Sequence, residues 1–271
     1  MAKQKQVSDL RFDVRIPLHH KDFPFVVMWS EKAGCTSLVK WFFWHVGLLD
    51  SALEHHPWIH NYENEKFKSR SGYVQECIKV IEAGKPVIKF VRNPYRRTFS
   101  GYLELCNPKV AQNGPHWTKT WRRQIVSQLT GYAQEVEYGF SFRQYVNWLT
   151  AQPKMGLDLH LRQQFQPIEN DLKPRYCKID DDPDYLHKLE KEFGLKSSKS
   201  AVAKFTSEHH HKKVVIAPRP AISMFDLAVP VRRTRHFHIV EPTLEEIRRD
   251  QIGTQLARYF SDDFVTYGYE I

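Results

Sequence analysis

The chain has 271 residues, 41% of them hydrophobic and 13% aromatic, and this composition excludes an intrinsically disordered protein. A total of 40 lysines and arginines against 31 acidic residues gives a net charge of +9, which suits polyanionic ligands of several classes, nucleic acid among them. The four cysteines are widely spaced without a C-x-x-C pair, so the sequence predicts free thiols instead of a zinc cluster or a dense disulfide scaffold.

Residues 1–20 are polar and basic, with a few apolar side chains and no clear periodicity. They predict an N-terminal arm or edge strand that leads into one domain spanning residues 21–271, because the sequence shows neither an internal repeat nor a convincing linker. No apolar run of signal-peptide or membrane-span length follows the first residues, so we expect no integral membrane segment.

The next segment, Phe25–Trp29, is a short apolar run typical of a buried strand, and residues after position 37 are apolar at helical spacing. The loop between strand and helix consists of Lys32, Ala33, Gly34, Cys35, Thr36 and Ser37. Thr36 or Ser37 is the predicted helix cap. Backbone N–H groups, hydroxyls and a positive charge at a helix N-terminus favour a bound anion, so this loop predicts a phosphate site.

The loop differs from a Walker A motif, G-x-x-x-x-G-K-[ST], because Lys32 precedes the glycine and no Gly-Lys pair follows it. Considered alone, an ordinary strand-to-helix turn with a solvated lysine explains this pattern equally well. A second stretch is needed to decide between the two interpretations.

That second stretch begins with Pro86–Arg92, another short predicted strand, and an Asn-Pro pair then predicts the turn into a helix. Arg92 would end the strand, and Ser100 would lie two helical turns further on, on the face that carries Arg96 and Arg97. A strand-end cation and a hydroxyl on the adjacent helix can bind a second phosphate beside the first. The two stretches together favour the phosphate site.

The residues Lys-Ala-Gly-Cys-Thr-Ser at 32–37 and Arg-Asn-Pro-Tyr-Arg-Arg-Thr-Phe-Ser-Gly-Tyr at 92–102 resemble the cofactor signatures of sulfotransferases that use 3′-phosphoadenosine 5′-phosphosulfate (PAPS). They are most similar to the carbohydrate-type family 2 branch. The resemblance implies that the first signature wraps the 5′-phosphosulfate, with Lys32 stabilising the leaving group, and that Arg92 and Ser100 bind the 3′-phosphate. The first signature departs from the family at Ser30-Glu31, and we expect Glu31 to point away from the loop.

Two histidines are candidates for the general base that takes the proton of an acceptor hydroxyl. In the family this base often lies between the two signatures, where this chain has a histidine-rich, loop-like segment. His60 is the first candidate there, ahead of His55 and His56. His160 is the second candidate, because Asp158–Phe165 partly resembles a family segment, H-W-x-P-Q, near the acceptor end of the cofactor. Histidines that serve only packing or the surface are the alternative for both.

The rest of the chain alternates between predicted helices and one further strand. We expect a strand at 176–179 and helices at about 72–84, 119–131, 141–149, 183–193 and from 242 onward. Parallel strands joined by helical crossovers predict an α/β fold, specifically a three-layer, P-loop-like fold with a central parallel sheet flanked by helices. The segment 196–213 is basic and contains three adjacent histidines. We favour a solvated loop over a metal site as its interpretation.

The resemblance implies in-line transfer of a sulfuryl group from PAPS to a hydroxyl acceptor, expected to be a carbohydrate, without a metal ion or a nucleic-acid partner. Eukaryotic members of the family usually carry an N-terminal membrane anchor, and its absence from this sequence predicts a cytoplasmic enzyme of the bacterial type, unless an anchor has been removed. The oligomeric state stays open. Two alternatives remain. A magnesium-dependent nucleotide or sugar kinase would need a Gly-Lys-Ser/Thr motif, which the loop at 32–37 lacks. A non-catalytic basic module that binds polyanions would explain the positive charge but not the spacing of Lys32, Arg92 and Ser100.

Overall fold

A computed structural model describes residues 15–107, 116–131, 138–201, 205, 225–226 and 241–271. The chain divides into two compact units, each of which is described by itself. The first comprises the described residues of Met1–Arg92 and Gln164–Ser207, and the second those of Asn93–Gln163 and Glu208–Ile271. None of the described helices has both the length and the apolar character that a membrane span requires.

The fold is mixed α/β, as predicted, with a small parallel sheet flanked by helices. The strands are β1 (Val26–Trp29), β2 (Val87–Val91) and β3 (Arg175–Lys178). In chain order the helices are α1 (Cys35–His45), α2 (Leu49–His55), α3 (Ile59–Tyr62), α4 (Tyr73–Glu82), α5 (Pro94–Cys106), α6 (His116–Thr130), α7 (Phe142–Thr150), α8 (Glu169–Leu172), α9 (Tyr185–Glu192), α10 (Leu244–Arg249), α11 (Gln251–Tyr259) and α12 (Ser261–Tyr267).

The sheet of the first unit has three parallel strands in the order β1, β2, β3. Val26 pairs with Val87 at one end of the β1–β2 ladder and Trp29 with Phe90 at the other. Both strands therefore end at the same edge of the sheet, which is where the two predicted signatures begin. Leu18 forms an antiparallel bridge to β1, while residues 1–14 of the expected N-terminal arm lie outside the described residues.

Apolar side chains cover both faces of this sheet, because successive residues of a strand point to opposite sides. Val27 and Trp29 belong to a large buried cluster that includes Phe42 of α1. Val26 and Met28 belong to a smaller cluster with side chains of α4 and α8. Burial of a side chain such as Phe42 stabilises the fold by about 1.5–3 kcal/mol. The hydrophobic core therefore holds the ends of β1 and β2 in place.

The histidine-rich segment between the two signatures is helical in the structure, not loop-like as the sequence predicts. It contains α2, α3 and a π-helical turn at Glu63–Phe67. The predicted helix after it is confirmed as α4. Gly72 and Gly84 flank α4 with positive φ values of 79° and 88°, a conformation that glycine adopts at little cost.

The second unit is helical where it is described, and its main element is α5. Asn93 caps this helix by accepting a hydrogen bond from the N–H of Tyr95 at 3.0 Å, and Pro94 takes the first helical position, as the Asn-Pro pair predicts. The predicted C-terminal helix is interrupted at Asp250, which caps α11 through the N–H of Ile252 at 3.0 Å. Arg143 of α7 binds the same carboxylate at 2.7 Å and fixes the break.

Candidate active site

The loop predicted to bind phosphate follows β1 and leads directly into α1. Lys32 and Gly34 both have a left-handed backbone, with φ of 67° and 72°. Gly34 occupies the N-cap position, so α1 begins at Cys35 and the prediction of Thr36 or Ser37 as the cap is wrong. No described side chain caps α1. The N–H groups of its first turn have no partner within a helix, which leaves them suited to an anion.

Arg92 directly follows β2, beside the loop that follows β1. Its Nη1 donates a hydrogen bond to the carbonyl oxygen of Lys32 at 3.3 Å, and its Nε donates to Oδ1 of Asp180 at 3.4 Å. The guanidinium is half-buried. The structure therefore brings the first signature together with the arginine of the second at one edge of the parallel sheet.

The other side chains of the loop are held by neighbours within the first unit. Ala33 is buried, and the hydroxyl of Ser37 donates to the carbonyl oxygen of Phe205 at 3.3 Å. The Oγ1 of Thr36 lies 3.5 Å from Nε2 of His60. The histidine that the sequence predicts as a base therefore lies directly against the loop of residues 32–37.

His60 is buried, and both of its ring nitrogens have partners. Nδ1 lies 2.5 Å from Oε2 of Glu63, and Nε2 lies 3.5 Å from Oγ1 of Thr36. Burial lowers the pKa of His60, but the hydrogen bonds to Cys35 and Glu63 and the charges of both groups outweigh burial and raise the pKa to about 9. The raised pKa favours the protonated ring, which suits an anion site better than it suits a general base.

Glu63 is the centre of a buried charged cluster behind the loop. Its carboxylate accepts from Nη1 of Arg15 at 3.1 Å and from Nζ of Lys68 at 2.5 Å, in addition to His60. Burial raises the pKa of Glu63, but these three cations hold the pKa well below its usual range. Glu31, which we expect to point away from the loop, is buried and accepts from Nε of Arg15 at 2.9 Å.

His55 and His56, the lesser candidates for the base, lie at the surface. Nε2 of His55 is 3.0 Å from Oε2 of Glu65, and Nδ1 of His56 accepts from the N–H of Trp58 at 2.8 Å. The three histidines of segment 196–213 lie outside the described residues.

His160, the second candidate, belongs to the second unit and has the surroundings of a base. Its Nδ1 lies 2.6 Å from Oδ1 of Asp158, and its ring stacks on Trp117 with centroids 4.1 Å apart and planes 7° from parallel. The side chain is 27% exposed. A carboxylate at Nδ1 fixes the ring and leaves Nε2 as the acceptor of a proton, so this pair fits general-base catalysis.

Asp158 and Trp117 are residues that the sequence reasoning misses as partners of His160. Asp158 precedes the histidine by two residues and also accepts from its N–H at 2.9 Å, a local turn that the sequence could have indicated. Burial raises the pKa of Asp158, but its hydrogen bonds to His160 lower the pKa below its usual value. Trp117 lies on α6, far from His160 in the sequence, so no local sequence pattern predicts that the two rings stack.

Arg97 and Ser100, both of the second signature, lie three residues apart on α5 and differ in burial. Ser100 and Arg96 are half-exposed. Arg97 is 2% exposed and donates to the carbonyl oxygens of Leu159 at 2.7 Å and Arg162 at 2.6 Å. Arg97 therefore holds the turn that carries His160.

Comparisons with protein-family models, curated proteins and solved structures find no match to this chain. Function is therefore inferred from the chemistry of the residues. In the first unit these are the loop of residues 32–37, Arg92 and the buried charges behind them, and in the second they are His160 with Asp158.

Proposed function

We propose that the chain is a PAPS-dependent sulfotransferase with a P-loop-like nucleotide site formed by residues 32–37 and Arg92. The observation that carries the proposal is the hydrogen bond between Arg92 Nη1 and the carbonyl oxygen of Lys32, 3.3 Å long. It joins the two resembling signatures at neighbouring strand ends. A nucleotide with two separate phosphate groups matches two adjacent groups of anion-binding residues better than ATP does.

In the proposed reaction an acceptor oxygen attacks the sulfur of PAPS, the bond from sulfur to the bridging oxygen breaks, and adenosine 3′,5′-bisphosphate leaves. The ammonium of Lys32 neutralises charge that develops on the bridging oxygen, and the N–H groups of the first turn of α1 bind the 5′-phosphate. His60 acts as a fixed cation beside Thr36. Arg92 binds the 3′-phosphate, and the resemblance implies the same role for Ser100.

The proton of the acceptor hydroxyl passes to Nε2 of His160 in this proposal. The reason is protonation state: His60, with its pKa raised to about 9, already carries a proton at neutral pH, and both of its ring nitrogens are engaged. His160 has one ring nitrogen held by Asp158. A sugar hydroxyl is the acceptor class that the resemblance implies.

Nucleotide-dependent thermal stabilisation tests the proposal against the two alternatives. Adenosine 3′,5′-bisphosphate should raise the melting temperature without magnesium, because a ligand that binds only the folded state stabilises it. Stabilisation by ATP with magnesium instead would indicate a kinase, and stabilisation by heparin or an oligonucleotide alone would indicate a binding module.

Two charge-matched variants make this experiment specific to the site. Arg92→Ala should abolish most of the stabilisation by adenosine 3′,5′-bisphosphate. Arg123→Ala, which removes an exposed arginine of α6, should leave it unchanged. Equal loss in both variants would show that net charge, and not this site, binds the nucleotide.

A further inference from the structure

A carboxylate, an imidazole and a hydroxyl form a row that ends in the loop of residues 32–37. Oε2 of Glu63 lies 2.5 Å from Nδ1 of His60, and Nε2 of the same ring lies 3.5 Å from Oγ1 of Thr36. Glu63 is wholly buried, and His60 is 5% exposed. Thr36 is the second residue of α1. The row therefore connects a buried carboxylate to the helix turn that is proposed to bind the 5′-phosphate.

The carboxylate of Glu63 is also held at its other oxygen. Oε1 accepts from Nη1 of Arg15 at 3.1 Å and from Nζ of Lys68 at 2.5 Å. These two cations favour the ionised carboxyl, and an ionised carboxylate accepts hydrogen bonds but cannot donate them. His60 must therefore donate from Nδ1 whether its ring is neutral or charged. The protonation state of the ring is consequently decided at Nε2, the nitrogen that faces Thr36.

The state of Nε2 determines where the hydroxyl proton of Thr36 is used. A neutral ring accepts at Nε2, and the hydroxyl of Thr36 then donates to it. A protonated ring instead donates from Nε2 to Oγ1 of Thr36, and the hydroxyl proton can turn toward a ligand, because a hydroxyl donates one hydrogen bond and accepts two. One proton on His60 therefore reverses this hydrogen bond and gives the loop an additional donor.

The charges behind the loop are balanced as long as the ring is neutral. The ionisable groups around His60 are Cys35 of α1, Glu63, and the groups linked to that carboxylate by ion pairs, which are Arg15, Lys68 and Glu31. With a neutral thiol and a neutral ring, two carboxylates balance two cations. A proton on His60 adds one positive charge, which a phosphate bound at the loop compensates, since a buried charge without a counter-charge is costly.

We propose that Glu63 is a positioning residue and that His60 is a proton switch for the loop of residues 32–37: a proton on Nε2 releases the hydroxyl of Thr36 to donate to a bound phosphate. This inference rests on the proposed function, which identifies that phosphate as the 5′-phosphate of the nucleotide. Solvent supplies the proton, and no covalent bond changes in the ligand. By reciprocity, the bound phosphate raises the proton affinity of His60 by the same factor by which the proton raises the affinity for phosphate.

The protonated ring is the form that favours a bound phosphate, and this fixes the direction of the pH dependence. Burial lowers the pKa of His60, but its hydrogen bonds and the neighbouring charges raise the pKa to about 9. The additional donor is therefore present below about pH 9 and is lost as the pH rises through this value. Phosphate esters complete their own titration at about pH 6, so measurements at higher pH report on the protein.

The affinity for adenosine 3′,5′-bisphosphate, measured by calorimetry between about pH 7.5 and pH 10, tests the switch. Over this range the unmodified chain should lose at least about 5-fold more affinity than His60→Gln, whose side chain does not titrate. Thr36→Ser keeps the hydroxyl and should keep the pH dependence, whereas Thr36→Val should lose it as His60→Gln does. Equal losses of affinity in the unmodified chain and in folded His60→Gln would overturn the proposal.

Nuclear magnetic resonance of ¹⁵N-labelled histidine rings gives a measurement that requires no variant. At high pH the neutral ring of His60 should carry its proton on Nδ1, as the contact with Glu63 demands. Adenosine 3′,5′-bisphosphate should raise the titration midpoint of this ring by about 0.7–1 pH unit, which corresponds to a coupling of about 5- to 10-fold. A neutral ring protonated on Nε2, or a midpoint that neither the nucleotide nor inorganic phosphate moves, would overturn the proposal.

Inorganic phosphate as a second probe separates the switch from the proposed function. A midpoint raised by both the nucleotide and inorganic phosphate would support the two proposals together. Thermal stabilisation by the nucleotide with an unmoved midpoint would overturn the switch and leave the sulfotransferase proposal in place. A midpoint raised by inorganic phosphate, in a chain that the nucleotide does not stabilise, would support the switch and count against the sulfotransferase proposal.

Discussion

The side chain of Gln164 pairs with the main chain of Arg92 at two points: Oε1 accepts from the N–H at 2.9 Å, and Nε2 donates to the carbonyl oxygen at 2.7 Å. Gln164 is buried, so its side-chain amide hydrogen-bonds the main chain of Arg92 in place of water. The pairing holds the residue after β2 where its guanidinium meets the loop of Lys32. A glutamine that resembles the last residue of the family segment thus holds Arg92 in the proposed nucleotide site.

Gln164→Ala should therefore weaken the site and the fold together. The variant removes both hydrogen bonds between the Gln164 side chain and the main chain of Arg92, which costs about 1–3 kcal/mol of unfolding free energy. Urea unfolding measures this loss, and the affinity for adenosine 3′,5′-bisphosphate should fall in parallel. Gln75→Ala, an exposed glutamine on α4, should change neither quantity. Unchanged stability in Gln164→Ala would show that water replaces the side chain.

The elements around the first signature are predictable from sequence because their signals are local. The apolar run Phe25–Trp29 predicts β1, the helical spacing of apolar residues within 72–84 predicts α4, and the Asn-Pro pair predicts the start of α5. Each signal depends on a few consecutive residues, and each corresponds to an observed element. The phosphate loop and Arg92 are placed at one sheet edge by the same reasoning, since parallel strands end together.

The partners of the site residues are less predictable because they come from distant parts of the chain. Glu63 is typical of a surface residue by sequence, yet it is wholly buried because Arg15, 48 positions earlier, and Lys68 neutralise it. Burial lowers the pKa of His60, but Cys35 and this carboxylate raise it to about 9. No pattern within a single helix indicates such a shift.

Lys32→Ala should lower sulfate transfer while leaving the chain folded. Removing one fixed group that stabilises charge in a transition state typically lowers turnover by about 10²–10³-fold. The measurement is the release of adenosine 3′,5′-bisphosphate from PAPS with a panel of sugars as acceptors, and thermal unfolding shows that the fold is retained. Lys191→Ala, an exposed lysine of α9, is the matched control. Turnover unchanged by Lys32→Ala would remove this lysine from the mechanism.

His160 and Asp158 should affect turnover as a pair. His160→Gln keeps a polar side chain but loses the ring nitrogen that accepts a proton, so turnover should fall by about 10²–10⁴-fold. Asp158→Asn removes the carboxylate that holds Nδ1 and should lower turnover by a smaller factor. Turnover unchanged in His160→Gln, measured as release of adenosine 3′,5′-bisphosphate, would exclude His160 as the base.

Glu190 provides a test of stability that does not depend on the proposed activity. Its carboxylate accepts from Nε1 of Trp41 at 2.7 Å and from the N–H of Ser198 at 3.0 Å. Burial raises the pKa of Glu190, but the hydrogen bonds from Ser198, His187 and Trp41 lower it to about 2. Because the folded pKa lies below the unfolded one, the ionised group stabilises the fold above about pH 4.5, and this contribution is lost as the pH falls toward 2.

Glu190→Gln should accordingly lower the unfolding free energy by about 3 kcal/mol at pH 7, the value that corresponds to this difference in pKa. The gap between the unmodified chain and the variant should narrow steadily from pH 5 to pH 2, because the carboxylate is protonated over that interval. Urea unfolding at several pH values measures the gap. Glu192→Gln, on the same helix with an exposed side chain, is the control and should show little change at any pH. A gap for Glu190→Gln that stays constant as the pH falls would mean that the loss comes from packing and not from the charge of the carboxylate.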